Sequence, residues 1–377
     1  MASTVTSDET FHAEQVVLES DDPYELHLEF FRRGWSDGLP VIPPTPDRVR
    51  AMLEYAPPGW RLDPRLPPAN RIATAEAVAI QAVMAGCQPA QFRVVLAAVE
   101  AMSDPAFNLT TIQATTHSAA PLLVINGPGR GTLGFSGGPG CLGPGSQGNA
   151  TVGRAIRLAL LNIGGGVPGD GDKASQGHPG KYSYCFAENE EASPWEPLHI
   201  ERGFERDCST VTVFAAGAPV NINNHVGKTA EHILDTFADA MVSTGGTVTH
   251  RRAYGPSGGD GHDQTGEVIV LFAPEHAATI ADEGWSKEDV RRYLFEFARI
   301  PTELMPKTGM WGMHEAPHWM PLGRPGWKVP IVASPECFVV LVAGGDGKHS
   351  SYIPTHGSAT RSVTIAFDNP SLSKEGR

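Results

Sequence analysis

Three histidines lie beside short apolar runs of the kind that form β-strands. His117 precedes the first of these runs, whereas His225 and His349 follow later ones. Histidine titrates near neutral pH, so it can act as a general acid or base, and its neutral ring also binds metals. We therefore take His117, His225 and His349 as candidate catalytic residues. Their spacing along the chain does not decide between an acid–base set and a metal site, so the metal is unknown.

Polar side chains next to these histidines extend the candidate site. Lys348 carries a positive charge that suits a carboxylate or phosphate on a substrate. Hydroxyl and amide side chains beside the histidines can exchange hydrogen bonds with the same molecule. The substrate-binding candidates in these segments are Thr116, Ser118, Asn223, Asn224, Lys348 and Ser350. They predict a small polar or anionic substrate.

A glycine-rich loop, residues 127–148, holds ten glycines in 22 positions between Asn126 and Asn149. A strand followed by such a loop and a helix presents backbone N–H groups to an anion. The loop matches neither the Walker pattern nor the dinucleotide-binding G-x-G-x-x-G pattern. We take Asn126, Gly138, Gly140 and Asn149 as substrate-binding candidates. The alternative is a structural loop that packs against a neighbouring subunit.

Cys141 lies inside this loop, where a nearby helix N-terminus would favour its thiolate. It is a candidate nucleophile or redox thiol, and the alternative is a small buried side chain where space is tight. The chain has five cysteines and no C-x-x-C pair. This pattern favours reduced thiols over a disulfide framework or a four-cysteine zinc site.

Two arginines follow the loop in a helical pattern predicted for residues 149–163. Arg154 and Arg157 are three residues apart and lie on neighbouring positions of its polar face. If their side chains reach back over the first turn, they strengthen the positive field of the helix N-terminus. We therefore take Arg154 as a binding residue for an anionic group in or beside residues 137–148. The alternative is that both arginines pair with acidic residues of the protein.

The segment His314–His318 matches the H-E-x-x-H pattern of zinc proteases. That chemistry needs both histidines on one face of a helix, and Pro317 would break such a helix. We expect no zinc-binding helix there. The surrounding segment 305–320 is rich in methionine and tryptophan, which predicts an apolar lid or interface and a protein that is at least a dimer.

The composition excludes several classes of partner. Hydrophobic residues make up 41% and charged residues 19%, as in a globular protein, and the formal net charge is −13. Such a charge repels nucleic acid and anionic membranes. No apolar run reaches the roughly 18 residues of a transmembrane helix, and the polar, acidic start lacks a secretion signal. These features predict a cytoplasmic protein.

From residue 121 onward, apolar runs alternate with amphipathic helical patterns. Near-continuous apolar strands separated by helices predict an α/β fold with a mostly parallel sheet, helices on both faces and long glycine-rich loops. We expect a flexible tail at 1–20, a helical part at 21–120 and an α/β part at 121–377, with the last two packed as one unit. Ligands bind beyond the carboxyl ends of parallel strands, so the loops after the strands should meet at one pocket.

Several long runs of the sequence resemble one bacterial family of unsettled activity. They cover most of the chain and lie at Gly34–Val49, Ala79–Ala101, Asn149–Gly165, His178–His199 and Gly284–Leu294. Members of that family are often encoded beside, or fused to, a small domain with a selenocysteine- or cysteine-Gly-Ser-Cys motif. The resemblance implies a thiol or selenol partner protein. Because the sequence contains no C-G-S-C run, that partner is expected on a separate chain.

The resemblance assigns no catalytic residues, so the residues themselves decide the functional hypothesis. We expect an enzyme subunit that cleaves or reduces a carbon–heteroatom bond of a small polar or anionic substrate, with the separate thiol or selenol partner. One alternative is a metal-assisted hydrolase or hydratase that uses the loop histidines. Another is a non-catalytic binding or scaffold subunit. The sequence indicates no particular cofactor.

Overall fold

The computed structural model describes residues 11–242, 266–301 and 325–368, except 15, 64, 358 and 359. The predictions made for residues 305–320, including the zinc-protease pattern, lie outside the described residues. So does the first half of the predicted tail. Within the described ranges, no helix is both long and apolar enough to span a membrane.

The first sheet contains four strands in the order β10-β3-β1-β2. They are β1 (Ala120–Asn126), β2 (Cys185–Ala187), β3 (Ser209–Ala216) and β10 (Val363–Asp368). β1 and β2 are parallel, whereas β3 is antiparallel to both β1 and β10. This sheet carries the glycine-rich loop at the end of β1.

The second sheet has the order β4-β9-β5-β8. Its strands are β4 (Val220–Asn223), β5 (Val268–Phe272), β8 (Phe338–Val342) and β9 (His349–Pro354). β5 and β8 are parallel, whereas β9 is antiparallel to both β4 and β5. A separate two-stranded ribbon joins β6 (Arg299–Pro301) to β7 (Lys328–Pro330).

The two sheets repeat one arrangement and exchange their edge strands. In each sheet an edge strand lies antiparallel to a second strand, which lies antiparallel to a third, and the fourth is parallel to the third. β4 follows β3 in the sequence but joins the second sheet, whereas β10 follows β9 but joins the first. The halves of the α/β part are therefore interlocked.

Helices cover the outer face of each sheet. Against the first sheet pack α4 (Phe92–Ser103) and α7 (Gln147–Asn162), and α3 (Ala75–Ala85) packs on these two helices. Against the second pack α9 (Ala230–Met241), α10 (Pro274–Asp282) and α11 (Lys287–Phe297). The other helices are α1 (Pro23–Arg32), α2 (Pro46–Leu53), α5 (Leu109–Ala114) and the single turns α6 (Gly129–Thr132) and α8 (Leu198–Glu201).

A third apolar cluster joins the inner faces of the two sheets. Leu122, Val124 and Phe214 of the first sheet share this cluster with Leu341 and Ile353 of the second. The architecture is thus helix layer, sheet, sheet, helix layer. It buries both faces of β1 and β5 and of the edge strand β8, which explains the near-continuous apolar runs of these three strands.

The expected α/β class is confirmed, but the expected single, mostly parallel sheet is not, because both sheets are mixed. The helices cover one face of each sheet, and the other sheet covers the second face. A strand buried on both faces has the same apolar pattern whether its neighbours are parallel or antiparallel. The pattern therefore reports burial and not strand direction.

Candidate functional site

A cluster of histidines lies at one end of the second sheet. His349 begins β9 and is the register partner of Asn223, the last residue of β4. His225 follows β4 by two residues, and His276 lies in the first turn of α10, directly after β5. The ends of three neighbouring segments thus bring the side chains of these histidines together.

His225 and His349 form an exposed pair whose Nε2 atoms are 3.2 Å apart. The Nδ1 atom of His349 lies 3.2 Å from the amide oxygen of Asn221. An amide oxygen only accepts, so Nδ1 of His349 carries the proton and its Nε2 accepts from Nε2–H of His225 when both rings are neutral. Asn221 therefore sets the tautomer of the pair.

His276 is buried and links the two segments that carry this pair. Its Nε2 donates to the carbonyl oxygen of Asn224 at 3.0 Å, and its Nδ1 lies 2.7 Å from the hydroxyl oxygen of Ser350. Because Nε2 carries the proton of the neutral ring, Nδ1 accepts, and the hydroxyl of Ser350 donates to it while accepting from the N–H of Ala273 at 2.9 Å. Burial lowers the pKa of His276, which favours the neutral ring that this bonding requires.

Lys348 and Asn224 have different roles beside the cluster. Lys348 approaches the carbonyl oxygen of His225 at 3.4 Å and forms no ion pair within the described part of the chain. Its charge is available to an anionic ligand. Asn224 instead donates to the carbonyl oxygen of His232 and to Thr236, and it accepts from the N–H of Gly227. The amide of Asn224 therefore ties this loop to α9.

The glycine-rich loop is organised by Asn149. Its amide oxygen accepts from the N–H of Ser136 at 3.0 Å, and its amide nitrogen donates to the carbonyl oxygens of Ser136 and Cys141 at 2.9 and 3.0 Å. The helix begins at Gln147, two residues before the predicted start, and Ser146 caps it. Asn149 is buried and all of its amide groups are occupied, so it shapes the loop. Gly138 and Gly140 lie between these anchor points.

The loops after β1 and β8 contact each other. The N–H of Gly344 donates to the carbonyl oxygen of Gly137 at 2.8 Å, and Gly345 lies against Pro139. The loop after β8 continues to Lys348 and so reaches the histidine cluster. Asn126 does not join the cluster, because its side chain is fully buried and donates to Glu188 at 2.7 Å.

The segment with Thr116, His117 and Ser118 lies at the other end of the strands. His117 contacts the ring of His356, with 5.5 Å between ring centroids, just beyond the end of β9. His349 begins that six-residue strand, so the two ends are separated by roughly 17 Å at about 3.4 Å per residue. The expectation that all three histidines meet is therefore wrong for His117. It lies before β1, at the opposite end of the strands from the cluster, which forms where β5 ends.

Arg154 does not reach the glycine-rich loop. It forms a bidentate ion pair with Asp37, with nitrogen–oxygen distances of 2.8 and 2.9 Å, and also donates to the carbonyl oxygen of Leu39. Arg157 pairs with Asp172 at 3.2 Å. The prediction that Arg154 faces an anionic substrate is corrected: both arginines pair with acidic residues.

Cys141 is buried among the apolar side chains between the sheets. Burial raises its pKa to about 11, because the thiolate is poorly solvated there. Burial likewise raises the pKa values of Cys87, Cys185 and Cys208, whereas Cys337 is half-buried. These are the features of packed thiols, and the catalytic role of Cys141 stays a prediction.

A cleft of about 700 Å³ lies elsewhere, between the N-terminal segment and the helices of the first layer. Trp35, Met84 and Leu161 contribute to its apolar wall. Residues at the start of the described chain lie across it, and the backbone of His12 and Ala13 donates to the carboxylate of Glu76. This cleft competes with the histidine cluster as a place for a small ligand.

Sequence reasoning missed His276 and Asn221 as functional residues. His276 follows the third apolar run, and its position in the first turn of a helix was the available signal. Asn221 stands two residues before Asn223, so both lie on one face of β4. Neither position in the sequence tells whether the side chain contacts a neighbouring strand or only faces solvent.

Comparisons with known proteins give no match to a family model, a curated protein or a solved structure. The functional interpretation therefore rests on the geometry above. That geometry brings His225, His349, Asn223, Asn224, Lys348 and Ser350 to one end of the second sheet. It leaves Asn126, Cys141 and Asn149 at the base of the glycine-rich loop.

Proposed function

We propose that this protein is an enzyme subunit that performs acid–base chemistry on a small polar or anionic substrate at the histidine cluster. The observation that carries the proposal is the exposed, hydrogen-bonded pair of His225 and His349 next to Lys348, which forms no ion pair with described residues. Two imidazoles that share a hydrogen bond place a proton acceptor and a proton donor side by side. A positioned acid–base group of this kind contributes about 10²- to 10⁴-fold to a rate.

Each residue of the cluster has a distinct part in this proposal. Lys348 binds the carboxylate or phosphate of the substrate, and the imidazole pair removes a proton from a neighbouring atom and returns it to the leaving group. Asn221 holds the tautomer that keeps Nε2 of His349 as the acceptor. His276 positions the pair, because it bonds the residue before His225 and the residue after His349. This set of groups suits cleavage of a carbon–heteroatom bond.

A reductive version of the reaction needs two electrons, which two thiols supply when they form a disulfide. Cys87, Cys141, Cys185 and Cys208 are buried and have raised pKa values, so their thiolates are disfavoured. We therefore propose that a separate thiol or selenol protein supplies the electrons, in keeping with the resemblance of the sequence. The acid–base pair would then protonate the product.

A metal-assisted hydrolase or hydratase is a second candidate, and one distance favours it. Two histidine ligands about 2.1 Å from a tetrahedral metal have nitrogen atoms about 3.4 Å apart. The Nε2 atoms of His225 and His349 are 3.2 Å apart. Within the described ranges, however, no group of three or more histidine, cysteine, aspartate or glutamate side chains is placed to hold a metal. Water and substrate would have to complete such a site.

A turnover screen tests the proposal. The purified protein is incubated with small carboxylates that carry a heteroatom on the neighbouring carbon, with and without dithiothreitol and with and without Zn²⁺, and products are identified by mass spectrometry. We expect turnover that falls by about 10²- to 10⁴-fold in His349→Gln. The matched control His12→Gln removes an exposed histidine far from the cluster and should leave turnover unchanged. Equal turnover by His349→Gln and the unchanged protein would contradict the proposal.

A further inference from the structure

Three fully buried polar side chains form a row across the first sheet. Asn126 is the register partner of Thr210, and Glu188 directly follows the residue that pairs with Ile125. In all three strands the adjacent residues face the helix layer, so these three side chains face the gap between the sheets. They lie at one end of the space between the two sheets, which is otherwise lined by apolar side chains.

Some of the hydrogen-bonding groups in this row are occupied. The amide nitrogen of Asn126 donates to Glu188 at 2.7 Å and to Glu190 at 3.1 Å. The same Oε2 atom of Glu188 accepts from the N–H of Leu198 at 2.9 Å. These bonds fix the orientation of the Asn126 amide, with its nitrogen toward the two carboxylates.

Three oxygen atoms of the row have no hydrogen-bond partner among the described residues. They are Oδ1 of Asn126, Oε1 of Glu188 and Oγ1 of Thr210. Buried polar atoms are rarely left without partners, because removing them from water is costly. Three such atoms on adjacent strands, all facing the space between the sheets, indicate a bound ion or small molecule.

The chemistry of these oxygens limits which type of ion or molecule can bind to them. Oδ1 of Asn126 and a carboxylate oxygen of Glu188 only accept hydrogen bonds or bind cations. Glu188 forms no ion pair with described residues, because Lys287 is paired with Glu201 and Arg130 with Glu190 and Glu191. When Glu188 is ionised, the row carries one negative charge beside two neutral oxygens, and Lys287 and Arg130 act on that charge without forming an ion pair with it.

We propose that Asn126, Glu188 and Thr210 form a buried binding site for one monovalent cation, such as K⁺, Na⁺ or NH₄⁺. One carboxylate balances one positive charge, whereas dehydrated divalent cations require more carboxylates or retain several waters. A bound cation would also favour the ionised form of Glu188, whereas burial alone raises the pKa of its carboxyl group. The site differs from the histidine cluster in both position and chemistry.

The cation would stabilise the start of the glycine-rich loop. Glu190 accepts from the N–H of Gly127 at 2.7 Å, forms an ion pair with Arg130 at 3.0 Å, and shares the amide of Asn126 with Glu188. A ligand bound to Asn126 thereby fixes the network from which the loop begins. Cation binding and the order of this loop are coupled.

Thermal unfolding in different chloride salts tests this site. At equal ionic strength, the midpoint should be higher in KCl, NaCl or NH₄Cl than in choline chloride, whose bulky methylated cation cannot be coordinated closely by three oxygens. It should rise with the logarithm of the concentration of the preferred cation, because a ligand of the folded state stabilises it by mass action. An identical midpoint in all four salts would overturn the proposal and favour a water molecule at the three oxygens.

Variants locate the effect. Glu188→Gln keeps the shape but removes the charge, so the cation dependence should be lost. Thr210→Val should raise the cation concentration for a half-maximal shift by about tenfold or more. The control Glu100→Gln changes an exposed carboxylate and should retain the full response. A full response in Glu188→Gln would place the cation elsewhere and overturn the proposal.

A crystallographic measurement keeps the site testable even if the variants fail to fold. Thallium(I) replaces K⁺ and scatters X-rays anomalously. Crystals of the unchanged protein soaked in thallium acetate should show an anomalous peak between the free oxygens of Asn126, Glu188 and Thr210. No peak there, at a soak concentration that labels other sites, would also overturn the proposal.

Discussion

At the residue scale, His276 determines how the exposed histidines meet. Both of its ring nitrogens are used inside the protein, one for the carbonyl oxygen of Asn224 and one for the hydroxyl of Ser350. Neither contact is with a substrate, since His276 and Ser350 are buried. We infer that Ser350, a predicted substrate-binding residue, acts with His276 in positioning the pair of His225 and His349.

Replacing His276 should therefore separate that pair. His276→Phe keeps an aromatic ring, although a larger one, and leaves the carbonyl oxygen of Asn224 and the hydroxyl of Ser350 without their partner, so we expect a loss of about 2–4 kcal/mol in the free energy of unfolding. The hydrogen bond between His225 and His349 should then be lost, which ¹⁵N-edited NMR detects as a change in their ring ¹⁵N shifts. His276→Gln can accept and donate in the same places and should restore part of this hydrogen bond. Unchanged ring ¹⁵N shifts of His225 and His349 in His276→Phe would contradict a positioning role.

The thiol of Cys141 is predicted to be unreactive at neutral pH. With a pKa of about 11, only about one thiol in a thousand is ionised near pH 8. Alkylation should therefore reach the half-buried Cys337 first, and the rate at Cys141 should increase with each rise in pH toward about 11. Isotope-coded iodoacetamide with mass spectrometry measures each site. Rapid labelling of Cys141 at neutral pH would restore it as a nucleophile.

At the element scale, two adjacent glycines of the loop should respond differently to alanine. A Cβ atom at Gly137 would lie 2.4 Å from the carbonyl oxygen of Ala187, where backbone would have to move. A Cβ atom at Gly138 meets only the hydroxyl of Ser136 at 3.9 Å. We expect Gly137→Ala to cost about 1–3 kcal/mol of stability through overpacking. Gly138→Ala is the matched control.

Urea unfolding of the two variants decides whether close packing explains this glycine. Gly138→Ala should be neutral or stabilising by up to about 1 kcal/mol, because alanine restricts the unfolded chain. Equal midpoints for the two variants would show that the loop is loose at Gly137. A loose loop would not fix the backbone of Gly344, which is hydrogen-bonded to Gly137 and begins the segment that carries Lys348.

The sequence predicted some elements much better than others. The apolar residues at helical spacing predict a helix at 149–163 after the glycine-rich loop, and the helix spans Gln147–Asn162. The segments that form β4 and β9 favour loops by their sequence, since Val-Asn-Ile-Asn and His-Ser-Ser-Tyr-Ile-Pro lack a continuous apolar run. Their polar residues form the site, so the segments with the weakest strand signal are those that carry the candidate chemistry.

At the scale of the whole molecule, the four-layer arrangement could not be derived from the sequence. The interior between the sheets and the interior under the helices are equally apolar, so composition does not tell them apart. The exchange of β4 and β10 depends on the path of the chain between the sheets. Hydrogen bonding between strands that are far apart in the sequence determines which of the predicted site residues lie close together. The expectation of a dimer, drawn from residues 305–320, stays a prediction.

Stability of the whole molecule should depend on pH through its buried histidines. Burial lowers the pKa values of His178, His199 and His276 in the folded protein. Below about pH 6.5 the unfolded chain binds protons at these positions and the folded chain does not. The unfolded state then holds more protons, so stability is full above about pH 6.5 and falls as the pH decreases, by up to about 1.4 kcal/mol per pH unit for each histidine.

Urea midpoints across this range measure the effect. The decline should start near pH 6.5, and His276→Gln should show a shallower decline than the unchanged protein. Carboxylates with lowered pKa values, such as Asp172, act only at lower pH. Burial raises the pKa of Glu188, which acts in the opposite direction, but Glu188 is present in both proteins and so cancels in their comparison. An equally steep decline in His276→Gln and in the unchanged protein would contradict a neutral, buried His276.

The central claim is that the histidine cluster, and not the apolar cleft, is the place where a substrate binds. A crystal structure with a small carboxylate identified by the turnover screen tests this most directly. We predict that the carboxylate lies within hydrogen-bonding distance of Nζ of Lys348 and that the reacting atom faces the rings of His225 and His349. A ligand found instead in the cleft beside Trp35 and Met84, with the histidine cluster unoccupied, would contradict the account.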